Sequence, residues 1–177
     1  MEQWYGYKRF LIIDLDAHQG NGHGLDHMDR LKYCVFDMYN HHIFPGDEKA
    51  KQGITYDINA ASYPRDATYI AKLEEMLPRA FEEFKPDFVI YNAGTDCMSG
   101  DPLGNLDVSP EGIIQRDEMV FELCLETFNV PVVMLLSGGY QKSNAPNIAE
   151  SIENIVAKFS LQADFLGGEN TLQRKQS

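Results

Sequence analysis

Carboxylates, an imidazole and a phenol recur at three places where an apolar run of the chain gives way to glycine. The first is Ile13-Asp14-Leu15-Asp16-Ala17-His18-Gln19-Gly20-Asn21-Gly22. If the apolar residues leading into it form a strand, a two-residue period sends Asp14, Asp16 and His18 to the same side. Carboxylates and imidazole are ligands for a divalent ion, and Gly20 and Gly22 allow a sharp turn just beyond them. The plainer reading is a strand-terminal turn in which the aspartates satisfy backbone donors, and this segment alone leaves the two readings level.

The second place is Tyr91-Asn92-Ala93-Gly94-Thr95-Asp96, followed by a loop with Gly100, Asp101, Pro102 and Gly104. Asp96 on its own reads as a helix cap or turn former. Together with Asp16 and His18 it would make three protein ligands with a fourth position left for water, the arrangement of a catalytic rather than a closed structural zinc site. The third place is Ser137-Gly138-Gly139-Tyr140. Two glycines permit close backbone approach, and a phenol can donate to a developing oxyanion, although a Gly-Gly-Tyr turn is usually only a turn.

The elements that must position these residues can be read from periodicity. Phe10–Asp14, Tyr33–Asp37, Ile54–Ile58, Asp87–Asn92 and Val130–Leu136 are rich in Val, Ile, Phe or Tyr and read as strands. Between them, Thr68–Phe84 places Ile70, Leu73, Leu77 and Phe81 at helical spacing, with Pro78 expected to kink or split it. Ser109–Phe128 reads as a helix capped by Ser109, with Pro110 in its first turn and an apolar side of Ile113, Val120, Leu123 and Phe128. A last helix is expected from Asn147 to Phe159, and the stretch from Gln162 to Ser177 is polar. Strands alternating with helices imply an α/β fold, a parallel sheet with helices on both faces, whose ligands gather beyond the carboxyl ends of the strands.

Composition narrows the partners. The 27 acidic and 15 basic residues give a formal charge of −12, which disfavours direct nucleic-acid binding and would welcome a lysine-rich peptide. The three cysteines lie apart without a Cys-x-x-Cys pair, which suits buried thiols in a reducing compartment. No apolar run approaches the length of a membrane helix, so no membrane partner is expected.

Asp14-Leu15-Asp16-Ala17-His18-Gln19-Gly20-Asn21-Gly22-His23, Tyr91-Asn92-Ala93-Gly94-Thr95-Asp96, Gly100-Asp101-Pro102-Leu103-Gly104 and Ser137-Gly138-Gly139-Tyr140-Gln141-Lys142 resemble, in order and approximate spacing, the signatures of class IV histone deacetylases. The resemblance spans roughly Arg9 to Phe159. It implies the three-layer α/β/α fold of the arginase/deacetylase superfamily, with residues 1–160 a partial catalytic domain truncated at its N-terminus and 161–177 a polar tail. It makes Asp16, His18 and Asp96 zinc ligands and Tyr140 the residue that polarises the acyl carbonyl. It has the Gly138 carbonyl accept the substrate amide and Leu103 line an acyl-lysine tunnel. Asp14 would orient a catalytic histidine and, with the Asp37 side chain and the Met38 backbone, join a potassium-type site. Asn21 stands where class I relatives orient a second histidine with an aspartate.

The implied reaction is zinc-assisted hydrolysis of N6-acyl-lysine amides in a histone tail or other acyl-lysine peptide, with corepressor or other protein partners, in nucleus or cytoplasm. The family's tandem catalytic histidines belong upstream of the Asp-x-His strand, and no histidine precedes His18 here. The chain alone is therefore expected to be inactive or nearly so, with part of its sheet edge exposed. His41-His42 follows the metal strand and reads as a loop pair. Two alternatives are a non-catalytic interaction module of the same fold and a binuclear manganese ureohydrolase. The latter wants an aspartate where Gly20 stands and a carboxylate pair where Thr95-Asp96 offers one.

Overall fold

The computed structural model describes residues 6–161. Its order is β1 (Phe10–Asp14), α1 (Asn21–Asp26), β2 (Tyr33–Tyr39), β3 (Tyr56–Asn59), α2 (Asp66–Phe84), β4 (Phe88–Asn92), α3 (Pro110–Glu122), β5 (Val132–Leu135) and α4 (Asn144–Lys158). The strands form one parallel sheet ordered β3-β2-β1-β4-β5. The polar segment from Gln162 onward lies outside the described residues.

Alternation along the strands builds the two faces. Leu11 and Ile13 of β1, Phe36 and Met38 of β2, and Val89 and Tyr91 of β4 point into the main core, where they meet apolar residues of α2, α3 and α4. Ile12, Val35, Tyr39 and Ile54 form a smaller cluster on the other face, with Ile90 packed against it. Burying each large apolar side chain contributes about 1.5–3 kcal/mol, so the main core dominates the fold's stability. On β5, Val133 and Leu135 remain 36% and 47% exposed.

α2 is not split at Pro78, because Tyr69, Ile70, Leu73, Leu77, Ala80 and Phe81 bury one continuous stripe on both sides of it. The carbonyl deprived of its partner belongs to Glu74, an exposed residue that water can serve. The helix expected over Ser109–Phe128 stays α-helical only to Glu122 and then widens into a π-turn, Leu123–Thr127. That extra residue per turn lets the Phe128 ring stack on Phe81 at 4.8 Å. Ser109 does cap α3, its hydroxyl accepting from the Gly112 N–H at 3.0 Å.

The sheet's chain order reverses at β1: β2 and β3 extend one way, β4 and β5 the other. Connections diverge at such a point and leave a crevice beyond the strands' carboxyl ends. Asp16, Asp96 and Ser137–Tyr140 follow the adjacent strands β1, β4 and β5, so all three motifs open onto that crevice.

Candidate metal centre

Asp16, His18 and Asp96 converge, each offering a ligand atom within 4.8 Å of the others. His18 Nδ1 lies 2.7 Å from Asp96 Oδ2 and 3.1 Å from Asp16 Oδ1. Backbone donors aim both carboxylates: Ala17 N–H reaches Asp96 Oδ1 at 2.7 Å, His18 N–H reaches Asp16 Oδ1 at 2.9 Å, and Gly138 N–H reaches Asp16 Oδ2 at 2.9 Å. The Ser137 hydroxyl adds a fourth bond, to Asp16 Oδ2 at 3.0 Å. The end of β5 thus orients a ligand of β1, which the sequence did not reveal. Among the described residues no second cluster of three such groups forms.

The electrostatics of the pair are unequal. Burial pushes the Asp96 carboxyl up to about 7, and the Asp16 charge beside it pushes the same way. Burial also opposes ionisation of Asp16, but hydrogen bonds from His18, Asp96, Gly138 and Ser137 hold its carboxyl below the ordinary value. Because the folded value for Asp96 lies above the unfolded 3.8, the folded chain binds the extra proton between about pH 4 and 7. Its contribution to stability is present at low pH and lost as pH rises through about 7. A divalent ion must displace that proton. Zinc or cobalt affinity, measured by chelator competition, is therefore expected to strengthen about fivefold from pH 6 to pH 7 and to level off above about pH 8; a flat profile over that range would contradict the assignment of Asp96.

Tyr140 sits at the rim, 52% exposed, its ring perpendicular to that of His18 at 6.2 Å between centroids. Asp101 positions it: one carboxylate oxygen accepts from the Tyr140 N–H at 2.8 Å, the other from the Leu103 and Gly104 N–H groups at 2.9 and 3.2 Å. Leu103 is 48% exposed. The Gly138 carbonyl oxygen accepts from Thr95 N–H at 2.6 Å and Thr95 Oγ1 at 3.1 Å.

Asp14 is buried behind Asp16, accepting from Asp16 N–H at 3.1 Å and Asn92 Nδ2 at 2.8 Å. Its second oxygen pairs with His23 Nε2 at 3.1 Å, a partner brought round by α1 that the sequence did not announce. That hydrogen bond raises the pKa of His23 against the opposing effect of burial. Asp37 is fully buried; Oδ2 accepts from the Gly20 N–H at 2.8 Å, whereas Oδ1 has no partner. Burial, then the charge of Asp14, raises its carboxyl well above the ordinary range. Met38 follows it, buried, in β2. Asn21 reaches Asp47 rather than the metal cluster. His41 lies 2.8 Å from Asp57 and against the Tyr39 ring, a loop residue as expected.

A histone deacetylase domain model matches residues 1–157 of the chain. This chain belongs to the histone deacetylase family. It is 51% identical over 147 residues to histone deacetylase 2 of Arabidopsis thaliana, covering 83% of this chain and 38% of that protein. It is 32% identical over 150 residues to human histone deacetylase 1, covering 78% of this chain and 29% of the relative. Among solved structures, the HDA15 HD domain superposes with a TM-score of 0.69 at 29% identity, covering 88% of this chain and 46% of that one. The fold alone is shared with an acetylpolyamine aminohydrolase from Burkholderia pseudomallei, at 19% identity and a TM-score of 0.69. The chain thus spans less than half the length of these relatives, and the arginase/deacetylase-like fold is shown for that portion. No helix of the described residues is long and apolar enough to cross a membrane.

Proposed function

We propose that this chain carries the metal-binding and carbonyl-polarising part of a zinc-dependent N6-acyl-lysine hydrolase of class IV type. The carrying observation is that Asp16 and His18 beyond β1, Asp96 beyond β4 and Tyr140 beyond β5 meet in one crevice. Two carboxylates and one imidazole, without a thiolate, fit zinc with a position left open. Burial and then the neighbouring Asp16 charge lift Asp96 to about 7, which supports the same assignment, since a divalent cation there offsets both. Zinc held by Asp16, His18 and Asp96 supplies Lewis-acid polarisation of the acyl carbonyl and of water.

Tyr140 donates its hydroxyl hydrogen to the carbonyl oxygen as negative charge grows there. Burial, then the charges of Asp16, Asp96 and Asp101, raises its pKa and keeps it a donor at neutral pH. Asp101 fixes the spacing between Tyr140 and Leu103, which offers an apolar surface to the acyl-lysine methylenes. Gly138 offers its carbonyl to the substrate amide and its N–H to Asp16. Asp14 is placed to orient a histidine, His23 holding it in this chain. The unpartnered Asp37 Oδ1 beside Asp14 fits a potassium-type cation shared with the Met38 backbone. Residues 1–160 are assigned to this domain and 161–177 to a tail. A lysine-rich histone tail or other acylated protein suits the charge of −12, in nucleus or cytoplasm, with corepressor proteins as further partners.

The test is release of acetate or a long-chain fatty acid from acyl-lysine peptides by the purified chain with zinc. With no histidine before His18, turnover should fall about 10²–10⁴ below that of a relative spanning the whole domain, the share a positioned general base supplies. Tyr140→Phe should lower whatever zinc-dependent kcat remains by about 10², with KM little changed. Turnover near that of a full-length relative would refute the missing-base argument. Failure of the chain to bind either zinc or an acyl-lysine hydroxamate would favour a non-catalytic module, and two tightly held manganese ions per chain a ureohydrolase.

A further inference from the structure

Arg116 of α3 is completely buried on the core side of the crevice, where no substrate can reach it. Its Nη1 lies 2.6 Å from the Gly94 carbonyl, 3.3 Å from the Leu15 carbonyl and 3.2 Å from Cys97 Sγ. Nε donates to Asp117 Oδ1 at 2.8 Å; Nη2 lies at the same distance from that oxygen but without hydrogen-bonding geometry. Asp117 in turn accepts from the Tyr91 hydroxyl and, at 2.6 Å, from Ser151 Oγ. Leu15 immediately precedes Asp16, and Gly94 stands two residues before Asp96. One guanidinium nitrogen therefore ties together the backbones of β1 and β4 where they leave the sheet to present their ligands.

We propose that Arg116 is a positioning residue for the metal centre, setting the separation of Asp16 and Asp96 through the Leu15 and Gly94 carbonyls, with Asp117 as its counter-ion. This rests on the reading of Asp16, His18 and Asp96 as ligands. A buried ion pair is poor evidence of a purely stabilising role, because apolar replacements of such pairs are often neutral or better. What an apolar pair cannot do is donate to two carbonyls on separate strands. Partners behind the ligands commonly matter this much: their loss weakens metal affinity roughly 10- to 100-fold.

The double variant Arg116→Met/Asp117→Asn removes both charges; the Asn oxygen still accepts from one of the Tyr91 and Ser151 hydroxyls, and its NH2 group donates to the other. With cobalt as the probe, the 177-residue chain is titrated against a competing chelator while its visible absorption and melting are recorded. The variant is expected to bind at least tenfold more weakly, with altered d–d bands. Ser151→Ala, which perturbs the same network away from the carbonyls, should lower the melting temperature and leave cobalt affinity unchanged. If the double variant does not fold, Arg116→Lys carries the same test, since one ammonium keeps the ion pair but lacks the fork. Unchanged affinity and spectrum in a folded Arg116 variant, or equal weakening in Ser151→Ala, overturns the positioning role. Absence of cobalt binding by the parent chain overturns the ligand reading itself.

Discussion

Asp96→Asn is expected to weaken zinc binding by roughly 10²-fold or more while making the chelated protein more stable. Apparent zinc free energies of about 10–16 kcal/mol spread over four ligands leave about 3 kcal/mol for one, which sets the first figure. The second follows from burial and the Asp16 charge, which raise Asp96 to about 7. At pH 8 the folded chain must hold that carboxylate ionised, and the neutral amide relieves on the order of 2 kcal/mol after allowance for its coupling to Asp16. For a chain of this size that corresponds to a rise of roughly 4–8 °C in Tm, read by thermal denaturation with chelator. Zinc, in contrast, should raise the Tm of the variant by less than it raises that of the parent. An aspartate serving only as a turn former would show the reverse, a lower Tm and no change in zinc response.

Gly138→Ala is expected to have the largest effect on the centre of any single methyl group. A Cβ at Gly138 would overlap Asp16 Oδ2 and Asp96 Oδ2. Two of the three ligands would have to retreat, so zinc affinity should fall on the order of 10³-fold. The forced repacking should cost about 1–3 kcal/mol of stability besides. Gly22→Ala is the matched control, because a Cβ there meets nothing within 4 Å. In α1 it should leave metal affinity alone and stabilise the helix by up to about 1 kcal/mol. Isothermal titration of zinc into both variants separates the outcomes, and normal zinc binding by Gly138→Ala would show that the β5 end lies farther from the ligands than the structure has it.

The parts legible in the sequence are those governed by local parity. β1 occupies Phe10–Asp14 as expected; the chain leaves the strand there, and Asp16 and His18 beyond it join the cluster without Asp14. Parallel strands end at one edge of the sheet, so Asp96 and Tyr140 followed once the strands before them were recognised. Features set by packing were not legible. Pro78 is tolerated because of the stripe it interrupts, and the π-turn after Glu122 exists to place Phe128 on Phe81. Arg116 looked like an ordinary polar helix residue, and its carbonyl partners lie 101 and 22 positions away. The bond from Thr95 to the Gly138 carbonyl, 43 residues away, had no local signal for the same reason. His23 had a local signal, lying inside the glycine-rich string, but only the turn into α1 makes it the partner of Asp14.

The most direct measurement is anomalous scattering at the zinc edge from crystals of the chain grown with zinc. The expected result is one peak per chain among Asp16, His18 and Asp96, at about 2.0–2.2 Å from the imidazole nitrogen and both carboxylates. A chain with Asp96 turned out of the crevice, or zinc held by other residues, would contradict it.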